Sequence, residues 1–147
     1  LDEGVPTWSR DGKWIYFCSN RTGDRQLCKI PAEGGQAVQM TKHGGFTSFE
    51  SADGKFLYYS KGAIGVWRVP VDSGEEPLIF DTPGVGGWGT WTMADDGIYF
   101  INTEGKGMPA TDFFSFTTRQ TKRITVQNVN EFVNGLAISP DLRLTRT

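Results

Sequence analysis

Apolar and polar residues alternate in short runs along this chain, and the runs recur in sets. KWIYFCS over 13–19 follows the turn residues Asp11-Gly12, KFLYYSK over 55–61 follows Asp53-Gly54, and IYFIN over 98–102 follows Asp96-Gly97. Period-two runs rich in β-branched and aromatic side chains predict half-buried strands. A second strand is predicted after each: QLCKIP over 26–31, VWRVPV over 66–71 and FFSFTT over 113–118. Polar turns (AEGGQ, DSGEE, TRQTK) then lead to AVQMT over 37–41, PLIF over 77–80 and KRITV over 122–126. An Asp-Gly pair suits the turn, because Asp accepts from backbone N–H groups two residues on and Gly takes positive φ without a steric cost. With an inner strand ahead of each turn, every period holds four strands.

Asp11, Asp53, Asp96 and Asp141 stand 42, 43 and 45 residues apart. Four strands in about 40–45 residues is the signature of a β-propeller blade. No segment sustains a 3.6-residue apolar pattern, so no helix is predicted.

The WD dipeptide and the paired glycines of kelch blades are absent, and a sialidase-type Asp box needs a residue between Asp and Gly. PTWSRDGKWIYFCSNRTGDRQLCKIPAEGGQAVQMT instead resembles the TolB-type propeller repeat over nearly a full blade. That repeat runs W-S-P-D-G-K, an alternating strand ending in S-N-R-x-G, a further strand, G-G and L-T. Ser139-Pro140-Asp141 carries the S-P-D form, whereas Arg10 and Ala52 replace the proline. The expected fold is all-β, a partial β-propeller forming one domain over 1–147. Its three four-stranded antiparallel blades lie at approximately 4–41, 46–80 and 88–126, with the inner strand of a fourth at 134–139. Leu142 stands where a turn glycine is expected, and the tail LRLTRT lacks the aromatic alternation of a further strand. Rings typically close with about four to eight blades. A homo-oligomer, most simply a dimer completing a ring, or a fragment of a larger propeller is therefore expected.

Formal net charge is −2 with 22% charged residues, which gives no reason to expect nucleic acid as the partner. No apolar run approaches the roughly 20 residues that span a bilayer, so no membrane insertion is expected. No charged-then-apolar leader is read, and the chain begins at Leu1, as a processed chain or one cut from something longer would. The TolB-type resemblance implies a periplasmic or envelope location.

Cys18 and Cys28 fall on two adjacent predicted strands. A cross-strand disulfide is conceivable, free apolar thiols are the favoured alternative, and strand register decides. Two Cys and one His do not supply a zinc site without carboxylates, and no metal or cofactor is expected. GVGGWGTW over 84–91 is glycine-rich but precedes a strand rather than a helix, which reads as a link between blades and not a phosphate loop. No G-x-S-x-G motif occurs, and the one histidine, His43, sits in the link TKHGGF, so no hydrolase activity is expected.

Propeller geometry, as the resemblance implies it, places the links between blades on one face with the loops joining second to third strands. That gathers Asn20, Arg21, His43, Phe46, Trp88, Glu131 and Asn134 around one mouth of the channel as candidate ligand-binding residues. The alternative is that Asn20 and Arg21 brace their own hairpin and Trp88 packs between blades. Glu50, on an inner strand, is a further candidate ligand-binding residue; it either faces the channel, the commoner fate, or bonds a neighbouring blade. The implied function is a non-catalytic binding or scaffold module recognising a protein, peptide or small ligand at the mouth. The alternative is the propeller portion of a prolyl-oligopeptidase-type hydrolase whose catalytic domain lies elsewhere.

Overall fold

The computed structural model describes residues 2–62, 64–83, 89–103, 109–126, 136–138 and 144–146. Blade 1 comprises β1 (Glu3–Trp8), β2 (Trp14–Ser19), β3 (Gln26–Pro31) and β4 (Val38–Gln39). Blade 2 comprises β5 (Ser48–Glu50), β6 (Phe56–Tyr59), β7 (Ile64–Pro70) and β8 (Leu78–Pro83), and blade 3 comprises β9 (Trp91–Ala94), β10 (Gly97–Asn102), β11 (Ala110–Ser115) and β12 (Thr121–Val126). Each blade is a four-stranded antiparallel meander in sequence order. The architecture is a partial β-propeller, as the four-strand period predicts. No helix occurs among the described residues.

The first two Asp-Gly turns share one hydrogen-bond relay. The Trp14 N–H donates to Ser9 Oγ (2.9 Å), Ser9 Oγ donates to Asp11 Oδ1 (2.7 Å), and the Lys13 N–H donates to the same oxygen (3.0 Å). Ser51, Asp53, Lys55 and Phe56 repeat it in blade 2 at 2.6, 3.0 and 3.0 Å. Gly12 and Gly54 sit at φ +71 and +69, where a Cβ is strained. Blade 3 departs from this pattern. Ala94 pairs with Gly97, so the turn is the two residues Asp95-Asp96 and Gly97 is already in the strand. Glycine is needed there for space: a Cβ would collide with the Phe114 carbonyl oxygen and the Phe113 ring.

Two further elements differ from the sequence reading. FFSFTT does not run as a strand to residue 118; β11 starts at Ala110 and ends at Ser115. Its polar start is buried because Asp112, 3% exposed, accepts from Asn102 Nδ2 (2.7 Å) and from Arg123 Nε (3.0 Å) on the flanking strands. The tail also forms a strand: β13 (Leu136–Ile138) pairs antiparallel with β14 (Leu144–Arg146), so the fourth sheet has two strands and not the inner one alone. The Ser139-Pro140-Asp141 turn between them lies outside the described residues.

Burial on both alternations is what stacks the blades. Tyr16, Leu27 and Met40 of blade 1 pack on Leu57, Tyr59 and Val69 of blade 2. On the far side of blade 2, Tyr58, Val66 and Phe80 meet Trp91, Ile98, Phe100 and Phe114 of blade 3. Phe80 stacks on Phe114 at 4.1 Å between centroids, and Phe49 meets Trp91 edge-on at 4.8 Å. Each such large side chain contributes about 1.5–3 kcal/mol by leaving water.

Register settles the cysteines. Cys18 pairs with Leu27 and Phe17 with Cys28, so the two thiols project to opposite faces of the sheet. Both are free and buried, and the disulfide alternative is overturned. Burial pushes both thiol pKa values up.

Candidate functional site

The meander carries the β2–β3 and β6–β7 loops and the blade 1–blade 2 link to one end of the blades. Hydrogen bonds join them: Gly45 N–H to the Arg25 carbonyl (3.0 Å), Gly44 N–H to Gln26 Oε1 (3.0 Å) and Phe46 N–H to the Ser60 carbonyl (2.8 Å). Gly44, at φ +93, packs against the β6–β7 loop, its Cβ position 3.7 Å from Lys61 Cδ. Arg25, Phe46 and Lys61 thus form one continuous surface, with His43 and Lys42 exposed beside it.

Each long cation of this surface lies over an aromatic ring. The Arg25 guanidinium is 5.4 Å from the Phe46 centroid, and the Lys61 ammonium is 4.5 Å from Trp67 and 6.0 Å from Tyr59. A cation held on a ring keeps its hydrogen-bond donors outward and loses less freedom on binding. Among the described residues neither Arg25 nor Lys61 has an ion-pair partner. The other end carries Asp11, Asp53, Asp72, Asp95 and Asp96 at its turns. Both ends carry both signs: Asp24 stands beside Arg25 in the β2–β3 loop, and Arg10, Lys13, Lys55 and Arg119 share the turn end with these aspartates.

The predicted residues fare unequally. His43 and Phe46 belong to this surface. Asn20 instead accepts from the Asp2 N–H (2.9 Å), and Arg21 donates to Ser19 Oγ (3.1 Å), pairs with Glu3 and covers Phe17. Both tie the β2–β3 loop to the start of β1. Glu50 is tied to blade 1, where its Oε1 accepts from the Tyr16 hydroxyl (3.0 Å) and its Oε2 from the Arg10 N–H. Desolvation and the Glu50 charge both push the Tyr16 phenol pKa up, so it stays a donor. Trp88, Glu131 and Asn134 lie outside the described residues, as do residues 84–88 of the glycine-rich link. Arg25 and Lys61 were not singled out from sequence; their signal was position, at the two ends of paired loops that share a face. Among the described residues no group of His, Cys, Asp and Glu is arranged to hold a metal ion, and His43 makes no hydrogen bond to a serine or a carboxylate.

Three stacked four-stranded meanders are blades of a β-propeller, and the fold is of the TolB type. No family model matches the chain. It aligns with the structure of TolB from Acinetobacter baumannii at a TM-score of 0.72 and 18% identity, over 95% of this chain and 35% of that one. It aligns with puromycin hydrolase at a TM-score of 0.60 and 16% identity, over 99% and 25% of the two chains. In sequence it is 30% identical over 116 residues to oligogalacturonate lyase of Dickeya dadantii, covering 74% of this chain and 30% of that protein. The chain spans about a third of the length of the curated relatives it matches, 33% and 30%.

Proposed function

We propose that this chain is a non-catalytic binding module whose link face recognises an acidic protein or peptide segment. The observation that carries the reading is the pair of ring-backed cations: Arg25 and Lys61, with no ion-pair partner among the described residues, share one end with Lys42 and His43. Such a face steers an anionic partner and orients it. The TolB-type resemblance supports a place in the cell envelope. Titration with a labelled oligoglutamate peptide tests it: binding should weaken with salt and with Arg25→Ala or Lys61→Ala. Equal binding of oligolysine would contradict it.

A second reading draws on the 30% identity with oligogalacturonate lyase. The same basic face would then hold an acidic saccharide as part of a longer enzyme. Incubation with oligogalacturonate separates the two, because a lyase leaves an unsaturated, ultraviolet-absorbing product and a binding module leaves the saccharide intact. The fold shared with puromycin hydrolase supports the propeller portion of a hydrolase in the same coarse sense.

We further propose self-association through blade 1. Tyr16 turns toward blade 2, so Ile15 faces away from it and with Ile30 lines a groove of about 320 Å³, bordered by the Glu3–Arg21 pair that covers Phe17. A blade from a second copy would cover this apolar surface as blade 3 covers blade 2.

A further inference from the structure

At the turn end, between blades 2 and 3, lies a second groove of about 270 Å³. Phe56, Tyr58, Met93 and Phe116 line it, with Tyr58 stacked on Phe116 at 5.0 Å. Arg68 stands opposite Tyr58 in the β6–β7 register and therefore on the same side of the sheet. Its guanidinium lies 4.2 Å from the Phe56 centroid. Among the described residues no carboxylate pairs with it.

The rim is acidic. Asp53 Oδ1 accepts from Ser51 Oγ and the Lys55 N–H, and Asp95 Oδ1 accepts from Arg10 Nη2 at 3.1 Å. The second oxygen of each carboxylate accepts no hydrogen bond from the described residues. The Ser51 and Lys55 donors hold the Asp53 pKa below its ordinary value. The groove thus joins one planar cation, two part-occupied carboxylates and an aromatic floor. A half-buried guanidinium with no counter-ion is a binding group awaiting a planar acceptor. The rim would repel a simple anion, and Arg68 would repel a simple cation.

We propose that this groove binds a small zwitterion with an apolar body, of the class of a free amino acid. Its carboxylate meets Arg68, its ammonium meets Asp53 and Asp95, and its side chain lies on Phe56, Tyr58 and Phe116. This site is on the opposite end from the link face and does not depend on it.

Calorimetric titration of the 147-residue chain tests the assignment with three probes: L-phenylalanine, phenylalaninamide, which lacks the carboxylate, and 3-phenylpropionate, which lacks the ammonium. Phenylalanine should bind saturably with a dissociation constant of about 1 mM or below, given its size. Each analogue should bind at least about tenfold more weakly, since each forfeits a charge-assisted pair. Arg68→Met should weaken phenylalanine about tenfold, with the melting curve confirming that the variant is folded. Arg25→Ala should leave this binding unchanged. No saturable heat with phenylalanine overturns the proposal. Equal affinity for all three probes also overturns it, since the floor alone would then be acting, and so does equal affinity for phenylpropionate and phenylalanine.

Discussion

The Tyr16 hydroxyl donates to Glu50 Oε1 at 3.0 Å across the boundary between blades 1 and 2. The same carboxylate takes the Arg10 N–H, and Arg10 reaches on to Asp95 of blade 3 at 3.1 Å. A second clasp joins the same two blades, with Glu76 accepting from the Tyr59 hydroxyl (2.9 Å) and the Lys42 N–H (2.7 Å). Blade stacking in this protein is apolar in its area and polar in its register: the cores press the sheets together, and the glutamates fix how they slide.

Tyr16→Phe should therefore cost about 1–2 kcal/mol, the worth of a buried hydrogen bond to a carboxylate. In a double-mutant cycle with Glu50→Gln, measured by urea unfolding, the two changes should be non-additive. Strict additivity would show that the pair does not couple.

The turn relays predict a pH dependence. Hydrogen bonds from Ser9 and the Lys13 N–H lower the Asp11 pKa, and Ser51 and the Lys55 N–H do the same for Asp53. A carboxyl with a lower pKa in the folded chain contributes stability above its unfolded value, near pH 4, and loses it as pH falls through the folded value. Acid titration of thermal stability should show a decline below about pH 4 that shrinks in a Ser9→Ala, Ser51→Ala variant. An identical acid limb in the variant would remove the relays as its cause.

The thiols on opposite sheet faces should resist both oxidation and labelling. Treatment with a disulfide-forming oxidant should leave Cys18 and Cys28 reduced by mass, and a thiol reagent should modify them only after denaturation. An intramolecular disulfide in the folded chain would require a different β2–β3 register.

Light scattering at micromolar concentration should report a dimer or larger, with Ile30→Asp shifting it to monomer while its circular dichroism stays that of β-structure. A monomeric wild-type chain would contradict closure through blade 1.

Much of this fold could be read from repetition. The alternating runs, the Asp-Gly spacing and the polar third turns located three blades, because a strand's period and a turn's chemistry are local properties. What repetition hid was non-local. Asp96-Gly97 repeats the dipeptide but not the turn, and only the approach of Phe114 explains its glycine. Asp112 falls outside the predicted strand over 113–118 because its partners, Asn102 and Arg123, come from other strands. The candidate face was legible from topology, but its set of residues was not. His43 and Phe46 follow from topology, whereas Arg25 and Lys61 matter through the rings beneath them. Glu50, suspected of facing a channel, is occupied by Tyr16 and Arg10.

The account's central claim is that the basic link face is the binding surface. The direct test is the affinity of a labelled oligoglutamate peptide for wild-type chain, Arg25→Ala, Lys61→Ala and a turn-end control, Asp72→Asn, across a salt series. The account predicts weakening by about threefold or more for each link-face variant, no loss for Asp72→Asn, and affinity that falls steadily with salt. Affinity indifferent to Arg25, Lys61 and salt would contradict it.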